Sequence, residues 1–164
     1  MEINGRPAAA VYEEQLGITP GGLHADKFWE TSILHPLGLL QPDGSSVIRV
    51  ARAMTPQRGL RIQGCVPPAG SAVQVMSGGT DALLGIVRGI AQSALGALPN
   101  PAVLLTFSCA ARAAIFGPRA LEEPRILQEA AGGVPTFGFY CCGEFARSAG
   151  VLGTHNATLT AMAL

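Results

Sequence analysis

Apolar positions along this chain recur with two periods, and the changes between them mark out its elements. Ala9, Tyr12 and Leu16 share one side of a helix predicted over Ala8–Gly17, with Glu13, Glu14 and Gln15 outside and Gly17 as its stop. Asn4-Gly5-Arg6-Pro7 before it reads as a turn, and the Gly-rich stretch 19–30 after it as a loop. Ile33–Leu40 is apolar, Gln41-Pro42-Asp43-Gly44 is turn chemistry, and residues 46–53 alternate, which together predict a β-hairpin. Leu60, Ile62 and Val66 point to a further short strand, and Ala72–Met76 to another.

The second half changes period. Leu83, Leu84, Val87, Ile90, Ala91, Ala94, Leu95 and Leu98 recur at steps of three and four, predicting the longest helix, with Thr80 as N-cap and Pro99 as stop. Ala102–Phe107 is an unbroken apolar run bounded by Asn100-Pro101, the pattern of a buried strand; it stops at Ser108-Cys109, and the Ala-rich segment Ala110–Phe116 is helical in propensity. A second helical segment runs to Ala131, closed by Gly132-Gly133, its start delayed by Pro124. Thr136–Cys142 is a strand, Gly143-Glu144-Phe145-Ala146 leads into a loop, and Asn156–Leu164 is a last strand. Hairpins imply antiparallel pairing and helix crossovers imply parallel pairing. The predicted class is therefore α/β in the mixed α+β sense, one mixed parallel/antiparallel sheet flanked by helices.

Composition narrows the function. With 164 residues, 48% of them hydrophobic, the chain is long enough to bury a core. Eleven basic residues, ten of them Arg, balance eleven acidic ones, so no phosphate-seeking stripe exists and nucleic-acid binding is not expected. No apolar run reaches the roughly 18 residues of a membrane span, and residues 1–7 carry no secretion signal. Cys65, Cys109, Cys141 and Cys142 lack Cys-x-x-Cys spacing, and neighbours on a strand point to opposite faces, so no metal and no cofactor is expected and a reduced, cytoplasmic protein is. Gly78-Gly79-Thr80 lacks the Gly-Lys-Ser/Thr ending of a phosphate-binding loop.

Three stretches carry candidate chemistry. Cys109 and Arg112 stand where a strand gives way to a helix: the helix start favours a thiolate or a bound carboxylate, and Arg112 offers a two-pronged donor. The same residues also read as a small buried hydrophobe and a surface ion-pair partner. Gly138, Tyr140 and Gly143 flank a strand end where glycine permits close approach, and Glu144 is open to pairing with Arg112, to recognising a ligand amine, or to simple solvation. His155 and Asn156 open the last strand as donors and acceptors. Nothing in the spacing brings Cys109 and His155 within hydrogen-bond reach, so no catalytic set is assigned.

These residues also stand in a recognisable order. Ser108-Cys109-x-x-Arg112 with Gly117-Pro118, then Gly138-Phe139-Tyr140-x-x-Gly143-Glu144, then His155-Asn156-x-Thr158-Leu159 resembles the C-terminal part of the FIST sensory domain, and Asn4-Gly5-Arg6-Pro7-Ala8 with Val11-Tyr12 resembles that family's opening. The resemblance implies a cytosolic ligand-sensing module of the kind found in bacterial signal-transduction proteins and in some F-box proteins, with small ligands such as amino acids proposed for it and no catalytic residues. It implies a single FIST C-like domain over 1–164 with a FIST N or signalling output domain as partner. The FIST N domain that normally precedes this part is not in the sequence, so either half of a shared pocket is missing or the chain is a fragment of a larger protein, in which a first strand could precede the helix that starts at Ala8. Cys141-Cys142 departs from the small polar and aromatic residues usual there.

Three readings follow. In a small-ligand sensor, an amino acid's carboxylate would meet Arg112 and the helix start while its ammonium meets Glu144. In a thiol-based redox sensor or cysteine-dependent enzyme, Cys109 or the Cys141/Cys142 pair would react. In an interaction or dimerisation module, an edge strand and the Phe28-Trp29 loop would meet a partner.

Overall fold

Residues 2–148 and 151–164 are described by the structure, a computed structural model. The chain divides into two compact units, Met1–Ser77 and Gly78–Leu164, each with a hydrophobic cluster of its own. The fold is of the mixed α and β class.

In the first unit, the predicted turn at Asn4-Gly5 sits between two very short antiparallel strands, β1 (Glu2–Ile3) and β2 (Arg6–Pro7). Helix α1 (Ala8–Leu16) ends where the pattern places its end, because Gly17 takes the left-handed conformation at φ 65° and offers its N–H to the last turn. Helix α2 (Phe28–Leu34) corrects the reading of 33–40 as one strand: Ile33 and Leu34 complete this helix, and Pro36 forces His35 out of helical geometry before β3 (Leu37–Leu40) begins. Phe28, expected in a loop, is buried in α2 and packs edge-on to Tyr12, while Trp29 lies under the Arg52 guanidinium.

The strand predicted over 46–53 is two strands, β4 (Ser46–Arg49) and β5 (Ala51–Met54), that serve different ladders. β4 pairs with β3, whose other side takes β7 (Val73–Val75), and β5 pairs with β6 (Leu60–Ile62), all antiparallel. Val50 between them is buried, and its carbonyl accepts the Gln63 N–H at 2.9 Å. The core gathers Ala8, Ala9, Tyr12, Phe28, Leu37 and Leu60, and Ser32 donates to the Ala51 carbonyl at 2.7 Å. Glu13 is also buried; burial raises its pKa, but the Leu23 and Gly21 N–H groups and the Arg58 guanidinium outweigh that and hold it below the ordinary carboxylate value.

In the second unit the long predicted helix is interrupted at Ile86, giving α3 (Thr80–Gly85) and α4 (Val87–Gly96). Gly79, not Thr80, is the N-cap; the Thr80 hydroxyl donates to the Ile115 carbonyl instead. Strand β8 (Leu104–Cys109) leads into α5 (Ala110–Phe116), a 3-10 turn over Gly117–Arg119, and α6 (Glu122–Ala131), which starts late as Pro124 dictates and ends on left-handed Gly132. Then come β9 (Thr136–Cys141), β10 (Glu144–Ser148), β11 (Val151–His155) and β12 (Leu159–Ala163). The loop expected after residue 146 is in its described part a hairpin, β10 against β11; residues 149–150 of that expectation lie outside the described residues.

The mixed sheet has the order β12-β8-β9, with β12 antiparallel to β8 and β9 parallel to it across the α5–α6 crossover. It holds three of the strands; the others form separate small ladders. One face, through Leu104 and Leu159, packs on Val87, Ala91, Leu127 and Ala131 of α4 and α6. The opposite face leaves Phe137, Phe139 and Met162 exposed.

Candidate functional site

The spacing of Glu123, Leu127 and Ala131 places all three on the buried stripe of α6, so a carboxylate heads an apolar row. It is answered from β8 and α5. The Ser108 hydroxyl donates to Glu123 Oε2 at 2.7 Å, and Arg112 donates to Oε1 from Nε at 2.8 Å and from Nη2 at 2.5 Å. Arg112 Nη2 also donates to the Leu83 carbonyl at 3.1 Å, and the guanidinium lies over the Phe116 ring. Arg112 and Glu123 are each 1% exposed. A buried ion pair persists only when such extra hydrogen bonds satisfy it, and here they do.

This corrects two expectations for Arg112. Its partner is Glu123, not Glu144, and its guanidinium is engaged within the unit instead of standing open to a ligand carboxylate. The sequence reading passed over Glu123; the four-residue spacing with Leu127 and Ala131 was the signal that could have found it.

Beside this pair, between β9 and α6, lies a cleft of about 240 Å³, lined by Thr106, Ser108, Glu123, Gln128, Gly138 and Tyr140 among others, with Pro124 and Leu127 as apolar wall. Gly138 shapes its floor: a Cβ there would lie 2.0 Å from Thr106 Oγ1 and 2.3 Å from the Thr106 carbonyl oxygen, so only glycine lets the two strands meet. The Tyr140 hydroxyl donates to the Ala120 carbonyl at 3.1 Å. Its pKa is raised, first by burial, then by the charge and hydrogen bonding of Glu123, against an opposing effect of Arg112.

A second cluster forms at the ends of the same strands. Cys109 and Cys141 stand opposite each other in the parallel register and both meet Glu144, which is buried. Glu144 Oε1 accepts from Cys141 Sγ at 3.5 Å and from the Gly143 N–H at 3.1 Å, and Oε2 accepts from the Thr158 hydroxyl at 3.2 Å. Gly143 has φ 148°, which favours glycine there. His155 is the register partner of Glu144; His155 and Asn156 are buried, and the Asn156 amide donates to the His155 carbonyl at 3.0 Å.

The helix start does not make Cys109 a thiolate. Burial pushes its thiol from 9.0 up to about 11; the Ala111 and Ala157 N–H groups pull the other way, and Glu144 adds to the rise. Burial and Glu144 push the Cys141 thiol up as well. Both sulfurs are therefore protonated donors at neutral pH, the weak-nucleophile state of cysteine. No cluster of three or more His, Cys, Asp or Glu suited to a metal ion occurs among the described residues.

Of the eight residues singled out from the sequence, Gly138 and Tyr140 line the cleft, and Cys109, Gly143 and Glu144 belong to the second cluster, with His155 and Asn156 next to it in the chain and its pairing. Arg112 braces the cleft from behind without lining it. Ser108 joins the two places: its hydroxyl goes to Glu123 and its carbonyl accepts from Cys141 Sγ at 3.6 Å.

The family model of the FIST C domain matches residues 8–147, most of the chain. The chain belongs to the FIST C domain family. The match opens on the first residue of α1 and closes inside β10, taking in the Arg112–Glu123 pair, the cleft and Glu144; His155 and Asn156 lie beyond it. FIST C domains are sensory-type domains, not a known family of enzymes. No curated protein and no solved structure matches this FIST C chain. Among the described residues, no helix is long and apolar enough to cross a membrane.

Proposed function

We propose that this FIST C chain is a small-ligand-binding sensory domain of a cytoplasmic, bacterial signal-transduction protein, and that the cleft between β9 and α6 is its receptor site. The observation that carries the reading is a cleft of about 240 Å³, sized for a molecule as small as an amino acid, whose wall holds a buried, braced carboxylate. Concave sites of mainly apolar lining with a few fixed polar groups are where small ligands bind. The Ser108–Glu123–Arg112 chain fixes those groups in advance, which lowers the ordering cost of binding. The receiver of the signal is a FIST N or output domain. Four free thiols support a reducing setting.

The test is a thermal-shift screen of small metabolites on the full chain, because a ligand that binds only the folded state must raise its stability. Stabilisation that disappears in Gln128→Trp, which fills the cleft from an exposed position, supports the reading. A library without any stabilising member defeats it.

A thiol function is a second reading, favoured by the convergence of Cys109 and Cys141 on Glu144. It requires a reactive thiol, and alkylation that stays slow at neutral pH removes it.

A further inference from the structure

We infer that the cleft recognises a small amine, its N–H donors facing Glu123, Ser108 and Tyr140, and that it turns away free carboxylates. The inference rests on the cleft being a ligand site. Its basis is where the hydroxyl hydrogens of Ser108 and Tyr140 already go. The Ser108 proton is committed to Glu123, and the Tyr140 proton is drawn to the Ala120 carbonyl and to Glu123, so both hydroxyls present lone pairs to an incoming molecule. Glu123 already accepts from Ser108 and Arg112. The polar atoms around Glu123 are thus acceptors, and an ammonium, with up to three donors, is the small group that satisfies them, while the Thr106 hydroxyl and the Gln128 amide are the donors elsewhere in the lining.

Charge points the same way. Glu123 is the one carboxyl group among the lining residues, and none of them is Lys, Arg or His. Arg112 sits on the far side of Glu123, with its donors on Oε1 and on the Leu83 carbonyl. A carboxylate entering at Glu123 would lose its hydration and meet a carboxylate, with no cation in the lining to offset the cost. Pro124 and Leu127 supply the wall for a short apolar tail.

The experiment measures the melting temperature and calorimetric affinity of the full chain with molecules that share one carbon skeleton: 3-methylbutylamine, 3-methylbutanol and 3-methylbutanoate, with leucine as the zwitterion. The expected result is stabilisation by the amine and none by the butanoate. Stabilisation by the butanoate, or equal stabilisation by the alcohol, overturns the inference and leaves the cleft a ligand site. If none of the four compounds stabilises the chain, the amine inference falls; the metabolite screen then decides whether the ligand-site reading falls with it. Because Glu123→Gln disturbs a buried pair, the deciding variant is Gln128→Lys, which places a cation in the cleft wall at an exposed position. It weakens amine binding by about two- to fivefold, the range of an exposed charge contact; unchanged amine affinity in that variant overturns the assignment of the amine to this cleft.

Discussion

Gly138 and Thr106 face each other across β8 and β9 with no room between them for a methyl group: a Cβ on residue 138 would come 2.0 Å from Thr106 Oγ1 and 2.3 Å from its carbonyl oxygen. The floor of the cleft is a backbone contact, not a side-chain one. Gly138→Ala therefore forces the strands apart, at about 1–3 kcal/mol or more, the range for overpacking. Thr106→Ala in the same chain does not restore stability, because the carbonyl obstacle remains. Urea denaturation of the single and double variants checks this; full rescue by Thr106→Ala would contradict it.

The Arg112–Glu123 pair makes its own prediction. Removing one partner strands a buried charge, so Arg112→Met is expected to cost about 3–5 kcal/mol. Replacing both, Arg112→Met with Glu123→Leu, should recover much of that loss, since two apolar side chains need no partners. A double variant as unstable as the single one would show that the pair is needed for more than mutual neutralisation.

Cys109 should reveal itself in alkali. Its thiol is raised from 9.0 to about 11 in the fold, so the folded state keeps a proton that the unfolded chain gives up. The stabilising contribution is whole below pH 9 and is lost as pH rises towards 11. Melting temperature measured across that window should fall, and Cys109→Ala should flatten the slope. Alkylation of the native protein at pH 7 should leave Cys109 untouched.

Glu13 gives the opposite signature in acid. Its pKa is held down in the fold, against its burial, by the Leu23 and Gly21 N–H groups and by Arg58. Its contribution is present at neutral pH and disappears as pH falls through the lowered folded value. Arg58→Met should cost about 1–3 kcal/mol at pH 7 and reduce the acid sensitivity of residues 2–77, read by hydrogen exchange.

Much of this was legible from residue order alone. Gly17 after an amphipathic stretch, the apolar run into Ser108-Cys109, and Pro124 near the head of α6 each carry a local physical cause, and the elements stand where those causes put them. What escaped depends on partners distant in sequence. Phe28–Leu34 is too short to show a period, and its helix is held by burial of Phe28 and by Ser32 reaching the Ala51 carbonyl. Residues 144–148 pair with 151–155 as a hairpin although the Gly and Ser content of this stretch reads as loop. Arg112 stood out by position, but only the folded chain shows that Glu123, eleven residues on, holds it. The sequence shows which side chains carry chemistry; whether their hydrogens are already committed is decided by packing.

The bond from the Tyr140 hydroxyl to the Ala120 carbonyl fastens the end of β9 to the approach to α6. A slot stapled at one end measures what enters it by length. Once the head of a ligand reaches Glu123, each added methylene must extend along the rest of the lining, past Leu127 toward Gln128 and Thr136, until the cleft of about 240 Å³ is filled. In a homologous series, affinity should climb with the first carbons and then level off, and that plateau would be a ruler for the natural ligand.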